Sequence, residues 1–288
     1  MRKINIILPA YNEELSIAQV IRDIHAALKT EDHEIIVVDD GSTDDTCRVA
    51  QENGARVIRH PYNIGNGAAV KTGIRGSDAE TLVFMDADGQ HAPTDIPSLL
   101  KLIPSYDMVV GARIGWRNAP AHRRCANLFY NAFASYLVGR NIPDLTSGFR
   151  AIKSDIAKKF VCLLPNTFSY PSTITMALFK AGYSIAYVPI EARKRLGTSK
   201  INLLSDGSRF ILIIMKIATL FSPLRIFLPA SLLFFALGAG HAIFKIIILH
   251  QRYTGFSILL IITSVLIFLM GLVSEQVAQL RFERSEDR

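Results

Sequence analysis

Cysteine is scarce in this chain: Cys47, Cys125 and Cys162 stand singly among 288 residues. Such spacing builds neither a disulfide framework nor a thiolate metal site, and it fits a reducing compartment. No segment has the spacing of a phosphate-binding P-loop. The formal charge is +7, yet there is no basic recognition helix and no interleaving of basic with aromatic residues. A nucleic-acid partner is therefore not expected. Internal repeats and low-complexity stretches are missing. Met1-Arg2-Lys3 runs into a five-residue apolar segment rather than a long apolar leader, so no signal peptide is expected.

Half of the residues are hydrophobic, and their distribution is uneven. Residues 1–205 read as an ordinary globular α/β domain. Residues 208–280 are dominated by Ile, Leu and Phe. Ile226–Leu249 is long enough to cross a bilayer, and Phe256–Ser274 is a second, nearly uncharged run of spanning length. Runs this long with no polar face need lipid or a much larger protein around them. The short linker His250–Gly255 favours a hairpin, and Lys245, near the far end of the first run, can snorkel. Arg193, Lys194, Arg195, Lys200, Arg209, Lys216 and Arg225 precede the first run, and Arg281, Arg284 and Arg288 follow the second. The linker offers Arg252. This bias places both termini and the globular domain on the cytoplasmic side of the inner membrane. Between them, 206–224 reads as an amphipathic helix lying in the interface. The expected organisation is thus a domain over 1–205, an interfacial helix over 206–224, two spans within 225–277 (about 226–249 and 256–274) and a tail over 278–288.

Within the first 205 residues, apolar β-type runs occur at Ile4–Leu8, Glu34–Val38, Arg56–Arg59, Thr81–Met85, Met108–Val110 and Ser184–Val188. Helical patterns at about 14–28, 44–53, 67–76, 95–103, 122–138 and 171–181 separate most of them. This alternation predicts a mostly parallel sheet covered on both faces. Ligands of such sheets sit beyond the carboxyl ends of the strands, and the polar clusters fall there.

The fourth run ends in Asp86-Ala87-Asp88-Gly89-Gln90-His91. If the extended conformation persists through Ala87, both carboxylates share one side. Two carboxylates at a strand end form a hard-oxygen site suited to Mg²⁺ or Mn²⁺ carrying a diphosphate, with Gln90 or His91 as a neutral ligand or supporting donor. A surface turn gives the same residues. Asp39 and Asp40 end the second run, where a carboxylate can accept from a base or ribose; Ser42 or Asp44 can instead simply cap the next helix. Pro9 and Tyr11 can flank a base and Glu13 can reach a ribose. Gly65 and Asn66 permit close backbone approach, and Lys71 lies a turn into the following helix. Asp144 sits in a compact polar turn with Ser147, where it can meet a sugar or a nucleophile or simply cap the turn. Arg113, Arg123, Arg124, Arg195 and Lys200 have the chemistry to hold phosphate, and the last two equally suit anionic lipid.

Taken together, Pro9–Glu13, Val37-Val38-Asp39-Asp40-Gly41-Ser42, Asn63–Gly67, Met85–His91, Ser147-Gly148-Phe149-Arg150 and Gly197-Thr198-Ser199-Lys200 resemble the inverting family 2 glycosyltransferases. The likeness is to the dolichyl- or polyprenyl-phosphate sugar synthases and covers about residues 3–205. It implies a GT-A fold resembling half of a Rossmann sheet, with a divalent metal (Mg²⁺ or Mn²⁺) at Asp86, Asp88 and Gln90. It implies a UDP- or GDP-sugar donor held by Pro9, Tyr11, Glu13, Asp39, Asp40, Ser42, Gly65, Asn66, Lys71 and Ala87. It implies a polyprenyl-phosphate acceptor met by Arg113, Arg123, Asn127, Asp144, Ser147, Arg195, Ser199 and Lys200, with Asp86, Asp88, Arg113, Arg123 and Lys200 central to transfer.

Two departures narrow the subgroup. Processive polysaccharide synthases of this family carry Gln-x-x-Arg-Trp, and the one tryptophan, Trp116, is in no such motif. Members that glycosylate hydroxyls often carry an acidic base in the region matching Phe168–Thr175, and polyprenyl-phosphate synthases often have Glu there; this chain holds no carboxylate in it and departs from both patterns. A hydroxyl needs a base as it attacks, whereas a phosphate monoester, with a second pKa of about 6, is already ionised. The expected activity is transfer of a hexose to a polyprenyl monophosphate. The competing expectations are transfer to a hydroxyl of a glycolipid or diacylglycerol, and a non-catalytic membrane sensor of nucleotide sugars.

Overall fold

The protein's computed structural model describes residues 3–114, 121–166, 169–191, 219–248, 250, 252 and 254–286; of Ile114, 121–126 and 281–286 it describes the backbone alone. The expected ligands Arg195, Ser199 and Lys200, and most of the expected interfacial helix, lie outside the described residues, as does the side chain of Arg123. By contacts the chain divides into two units, 1–203 and 204–288.

The first unit is built on a seven-stranded sheet. In chain order the strands are β1 (Ile4–Ala10), β2 (His33–Asp39), β3 (Arg56–Arg59), β4 (Thr81–Phe84), β5 (Met108–Ile114), β6 (Arg150–Lys153) and β7 (Ile185–Glu191). They lie side by side as β3-β2-β1-β4-β6-β5-β7. All pairings are parallel except those of β6, which runs against both β4 and β5. The carboxyl ends of six strands and the amino end of β6 therefore share one rim. The continuous apolar runs of β1 and β4 are wholly buried, as expected for strands covered on both faces.

The helices of this unit are α1 (Ile17–Ala27), α2 (Thr46–Glu52), α3 (Asn66–Arg75), α4 (Ile96–Leu100), α5 (Ala121–Val138), α6 (Ser154–Phe160) and α7 (Tyr170–Lys180). On α1 the buried Ile17, Val20, Ile21 and Ile24 recur at the spacing of one helical face. They join Ile6, Leu8, Ile35, Val37 and Val83 in the main core.

Three features depart from the sequence expectation. Strand β6 and helix α6 fill 150–160, where only a polar turn ending at Arg150 was expected. Strand β6 is as short as β3 but breaks the strand–helix alternation, following a polar turn and running antiparallel to its neighbours. Strand β4 stops at Phe84, and Ala87 and Asp88 lie in a turn, with Gly89 at φ +74°. Extended geometry thus does not carry through Ala87, and the turn itself sets the two carboxylates. Third, the last helix runs on to Glu286, through most of the expected tail.

In the second unit, α8 (Leu224–Ile247) and α9 (Gly255–Glu286) form an antiparallel pair. Helix α8 is about 36 Å long at 1.5 Å per residue, enough for a hydrocarbon core of about 30 Å. Both helices are apolar on all sides and largely uncovered by protein, so these two long helices suggest a membrane hairpin. Small residues line their contact. A Cβ on Gly238 would lie 3.0 Å from Leu260 Cβ and Ile261 Cγ1, and one on Gly271 would lie 2.6 Å from Phe227 Cβ. Close approach at such residues is how helices pack where water supplies no driving force.

Candidate active site

The rim of the first unit is built by loops that hold one another. Asn12, at φ +56°, donates its N–H to Ser42 Oγ at 2.9 Å, and its side-chain oxygen accepts from Thr43 N. Glu13 N–H donates to Thr46 Oγ1 at 2.8 Å. The loop after β1 is thereby fastened to the loop after β2. Gly41, at φ +75°, lies so close to the Tyr62–Asn63 backbone that a Cβ would approach it within 2.5 Å; only glycine fits there.

Asp39 and Asp40 are both buried but differ in their partners. Asp40 accepts from Ile64 N at 3.0 Å, Gly65 N at 2.8 Å and His60 Nδ1 at 2.7 Å. His60 Nε2 in turn lies 2.9 Å from the Thr72 hydroxyl. Asp40 is therefore occupied in holding the loop that opens α3. Asp39 Oδ1 accepts from Ser42 N at 3.0 Å. Its Oδ2 lies 3.2 Å from Arg59 Nε, out of line for a hydrogen bond, and has no hydrogen-bond partner among the described residues. Asp39 is the carboxylate with an acceptor oxygen in hand.

Gly65 precedes α3 at φ +123°, and Asn66 is exposed at its start. Asn166 O accepts from Ala68 N at 2.7 Å, so the loop after α6 covers this helix end. Lys71 turns to the same loop: its ammonium donates to Leu164 O at 3.2 Å and to Asn166 Oδ1. Burial, then Arg75, lowers its pKa. Lys71 thus ties two loops together.

Asp86 and Asp88 are half-buried at the rim. Asp88 Oδ1 accepts from Gln90 N at 3.1 Å, and the buried Ser16 hydroxyl donates to Ala87 O at 2.8 Å. Ser16, which the sequence did not single out, anchors the turn from the start of α1. His91 is buried and stacks on Phe149 with ring centroids 5.3 Å apart. Burial holds its pKa down at about 4, against the pull of Asp88.

On the other side, Asp144 receives Arg113 Nε at 2.7 Å and Nη2 at 2.9 Å, and Thr146 N and Ser147 N close the turn onto the same carboxylate. Burial would raise the Asp144 carboxyl, but the Arg113 hydrogen bonds and charge hold it below its ordinary value. Asp144 orients Arg113 here. Ser147 is buried and donates its hydroxyl to Gly111 O at 2.6 Å. Asn127 is half-buried on α5.

Residues 170–175 of the segment without a carboxylate open α7, whose residues Tyr170–Leu178 are buried. Ser172 accepts from Tyr130 OH at 3.3 Å, and the Thr173 and Thr175 hydroxyls donate to the carbonyls of Ser169 and Pro171 one turn earlier. These hydroxyls serve packing.

Among the described residues no three His, Cys, Asp or Glu side chains converge as a metal cage. The structure does hold two rim carboxylates on a fixed turn. Such a donor set fits Mg²⁺ or Mn²⁺ that takes its remaining oxygens from a diphosphate and water.

Comparison with known proteins accords with this architecture. Residues 5–161 match Glycosyl transferase family 2, and residues 222–280 match the GtrB C-terminal hairpin. The chain is 32% identical over 215 residues to the dolichyl-phosphate hexose transferase of Haloferax volcanii, covering 74% of this chain and 92% of the relative. It is 31% identical over 216 residues to the polyprenol monophosphomannose synthase of Mycolicibacterium smegmatis, covering 68% and 80%. The fold is similar to the crystal structure of glucosyl-3-phosphoglycerate synthase from Mycobacterium tuberculosis in complex with Mn²⁺ and uridine-diphosphate-glucose. The TM-score is 0.62 at 24% identity, over 76% of this chain and 78% of that one. With the mostly parallel sheet of a GT-A fold and two long apolar helices behind it, the chain belongs to glycosyl transferase family 2, among relatives that are polyprenyl- and dolichyl-phosphate sugar transferases.

Proposed function

We propose that this protein transfers a hexose from a nucleotide diphosphate sugar to a polyprenyl monophosphate at the cytoplasmic face of the inner membrane, with inversion at the anomeric carbon. The observation that carries this reading is the joining, in one chain, of a rim bearing Asp86 and Asp88 to a hairpin of membrane-spanning length. The relatives named for dolichyl and polyprenol phosphate agree with it.

Asp39 offers its second carboxylate oxygen to the base or ribose, with Pro9, Tyr11 and Glu13 beside it. Asp86 and Asp88, with Gln90, hold the divalent ion, which when bound neutralises the departing diphosphate. Arg113, preset by Asp144, takes the acceptor phosphate together with Arg123, Arg195 and Lys200. The phosphate oxygen attacks the anomeric carbon, a new C–O bond forms, and the bond to the nucleoside diphosphate breaks with its electron pair leaving on the diphosphate. The nucleophile is already ionised near neutral pH, so positioning replaces a general base. The hydroxyl lining of α7, spent on packing, supports that assignment. UDP is favoured over GDP as the donor nucleotide.

The test is incubation of the full-length protein in membranes with labelled nucleotide sugar and polyprenyl phosphate. An acid-labile labelled lipid supports the proposal. An acid-stable glycolipid would move the acceptor to a hydroxyl, and label transfer undiminished in Asp88→Asn would remove the metal assignment.

A further inference from the structure

Ser147-Gly148-Phe149-Arg150 enters β6 directly beside Asp86, and each of its residues is pinned. Ser147 N is held by Asp144, its hydroxyl by Gly111 O at 2.6 Å, and its carbonyl accepts from Arg150 Nη2. Gly148 O accepts from Tyr170 OH at 3.2 Å. Phe149 is fully buried under His91 and closes over Gly111, where a Cβ would lie 2.7 Å from the Phe149 ring.

Arg150 is fully buried. It donates to Pro171 O at 3.0 Å and Thr175 Oγ1 at 3.1 Å and lies 5.9 Å from the Tyr170 ring centroid. Its Nε has no hydrogen-bond partner, and no carboxylate forms an ion pair with it among the described residues. A buried guanidinium without a direct counter-ion is costly. Burial lowers its pKa, offset by Tyr170 and Tyr187 and then by Asp144 and Asp86, and Asp144 is already clamped by Arg113.

Against this braced turn lies the carboxylate of Asp86. A Cβ on Gly148 would stand 2.8 Å from Asp86 Oδ2, 3.2 Å from Oδ1 and 3.3 Å from Cγ. The backbone of Gly148 does not require the left-handed region, so the glycine is not explained by its own conformation.

We propose that Gly148 and Arg150 are positioning residues for Asp86: the missing side chain of Gly148 is the seat of the carboxylate, and Arg150 braces that seat from inside the sheet. When a methyl group is added at 148, the turn cannot retreat, because Arg150, Tyr170 and Asp144 hold it. The group that the added methyl meets is the end of the half-buried Asp86 side chain. Turning it aside displaces a metal-binding oxygen, in a site where such placement matters.

This inference rests on the proposed metal role of Asp86, and binding measurements separate the two. Mn²⁺ binding to the full-length protein would be followed by electron paramagnetic resonance, alone and with UDP or GDP, alongside thermal unfolding. In Gly148→Ala we expect nucleotide-dependent Mn²⁺ affinity to fall at least about tenfold, with the unfolding midpoint within about 3 °C of wild type. Arg150→Lys keeps the charge but cannot span the same acceptors, and a severalfold loss is expected there too. Unchanged Mn²⁺ affinity in Gly148→Ala overturns the inference. So does a large loss of stability, because the seat would then be a packing constraint rather than a positioning one. If wild type itself shows no nucleotide-dependent Mn²⁺ binding, the metal role of Asp86 fails instead.

Discussion

Asp39 and Asp40 are adjacent carboxylates with separable roles. Asp40 satisfies two backbone N–H groups and His60, so Asp40→Asn presents donors to donors. It should lower unfolding free energy by about 2–3 kcal/mol, read by chemical denaturation. Asp39→Asn should leave stability nearly intact and weaken nucleotide binding at least about tenfold, read by calorimetry. Equal effects of the two changes on stability would contradict this division. His91 gives the site a pH signature. Its folded-state pKa of about 4 lies below the ordinary 6.5, so the unfolded chain binds the extra proton between those values. Stability from this group is complete above about pH 6.5 and is lost as pH falls through about 4, by at most about 3 kcal/mol. His91→Phe should therefore narrow its stability difference from wild type as pH drops across that window, in urea titrations at fixed ionic strength.

At the scale of elements, the strand and helix alternation up to β5 was legible because apolar runs and helical patterns take turns along the chain. The order of loops along one rim followed from parallelism alone. Strand β6 was not legible: β3 is just as short but fell where the strand–helix alternation called for a strand, whereas β6 lies outside that alternation and its antiparallel direction depends on pairing with β4 and β5. Ser16 and Gly148 escaped for a different reason. Each acts on a segment distant in sequence, Ser16 on Ala87 and Gly148 on Asp86, and nothing local marks such a contact. The position of Lys71 in α3, which put it among the expected donor-binding residues, was legible, while the loop at Leu164–Asn166 that its ammonium meets was not. In the hairpin, length and apolarity were legible and the small-residue seam was not. Gly238→Leu would force a side chain against Ser257 O, Leu260 and Ile261. Hydrogen exchange in 255–264 should rise in this variant in detergent, while amides of β1 and β4 stay protected. Unchanged exchange in α9 would count against close packing at this seam.

For the whole molecule, the Lys and Arg flanking the hairpin support the proposed topology with both ends cytoplasmic. The linker 248–254 should face away from the cytoplasm. A cysteine placed at Arg252 should react with an impermeant maleimide added outside intact cells, and one placed at exposed Leu15 should react only after lysis. The reverse pattern would put the rim on the wrong side for a cytoplasmic nucleotide sugar. We propose that a metal-bound nucleotide sugar and a lipid phosphate react on the rim that carries Asp86 and Asp88. The most direct measurement is nucleoside diphosphate release by the purified full-length protein supplied with UDP- or GDP-sugars and Mg²⁺ or Mn²⁺, with and without polyprenyl phosphate. Release should require both the metal and the lipid phosphate and should fall at least about a hundredfold in Asp88→Asn. Release that ignores the lipid phosphate, or that persists in Asp88→Asn, would contradict the account.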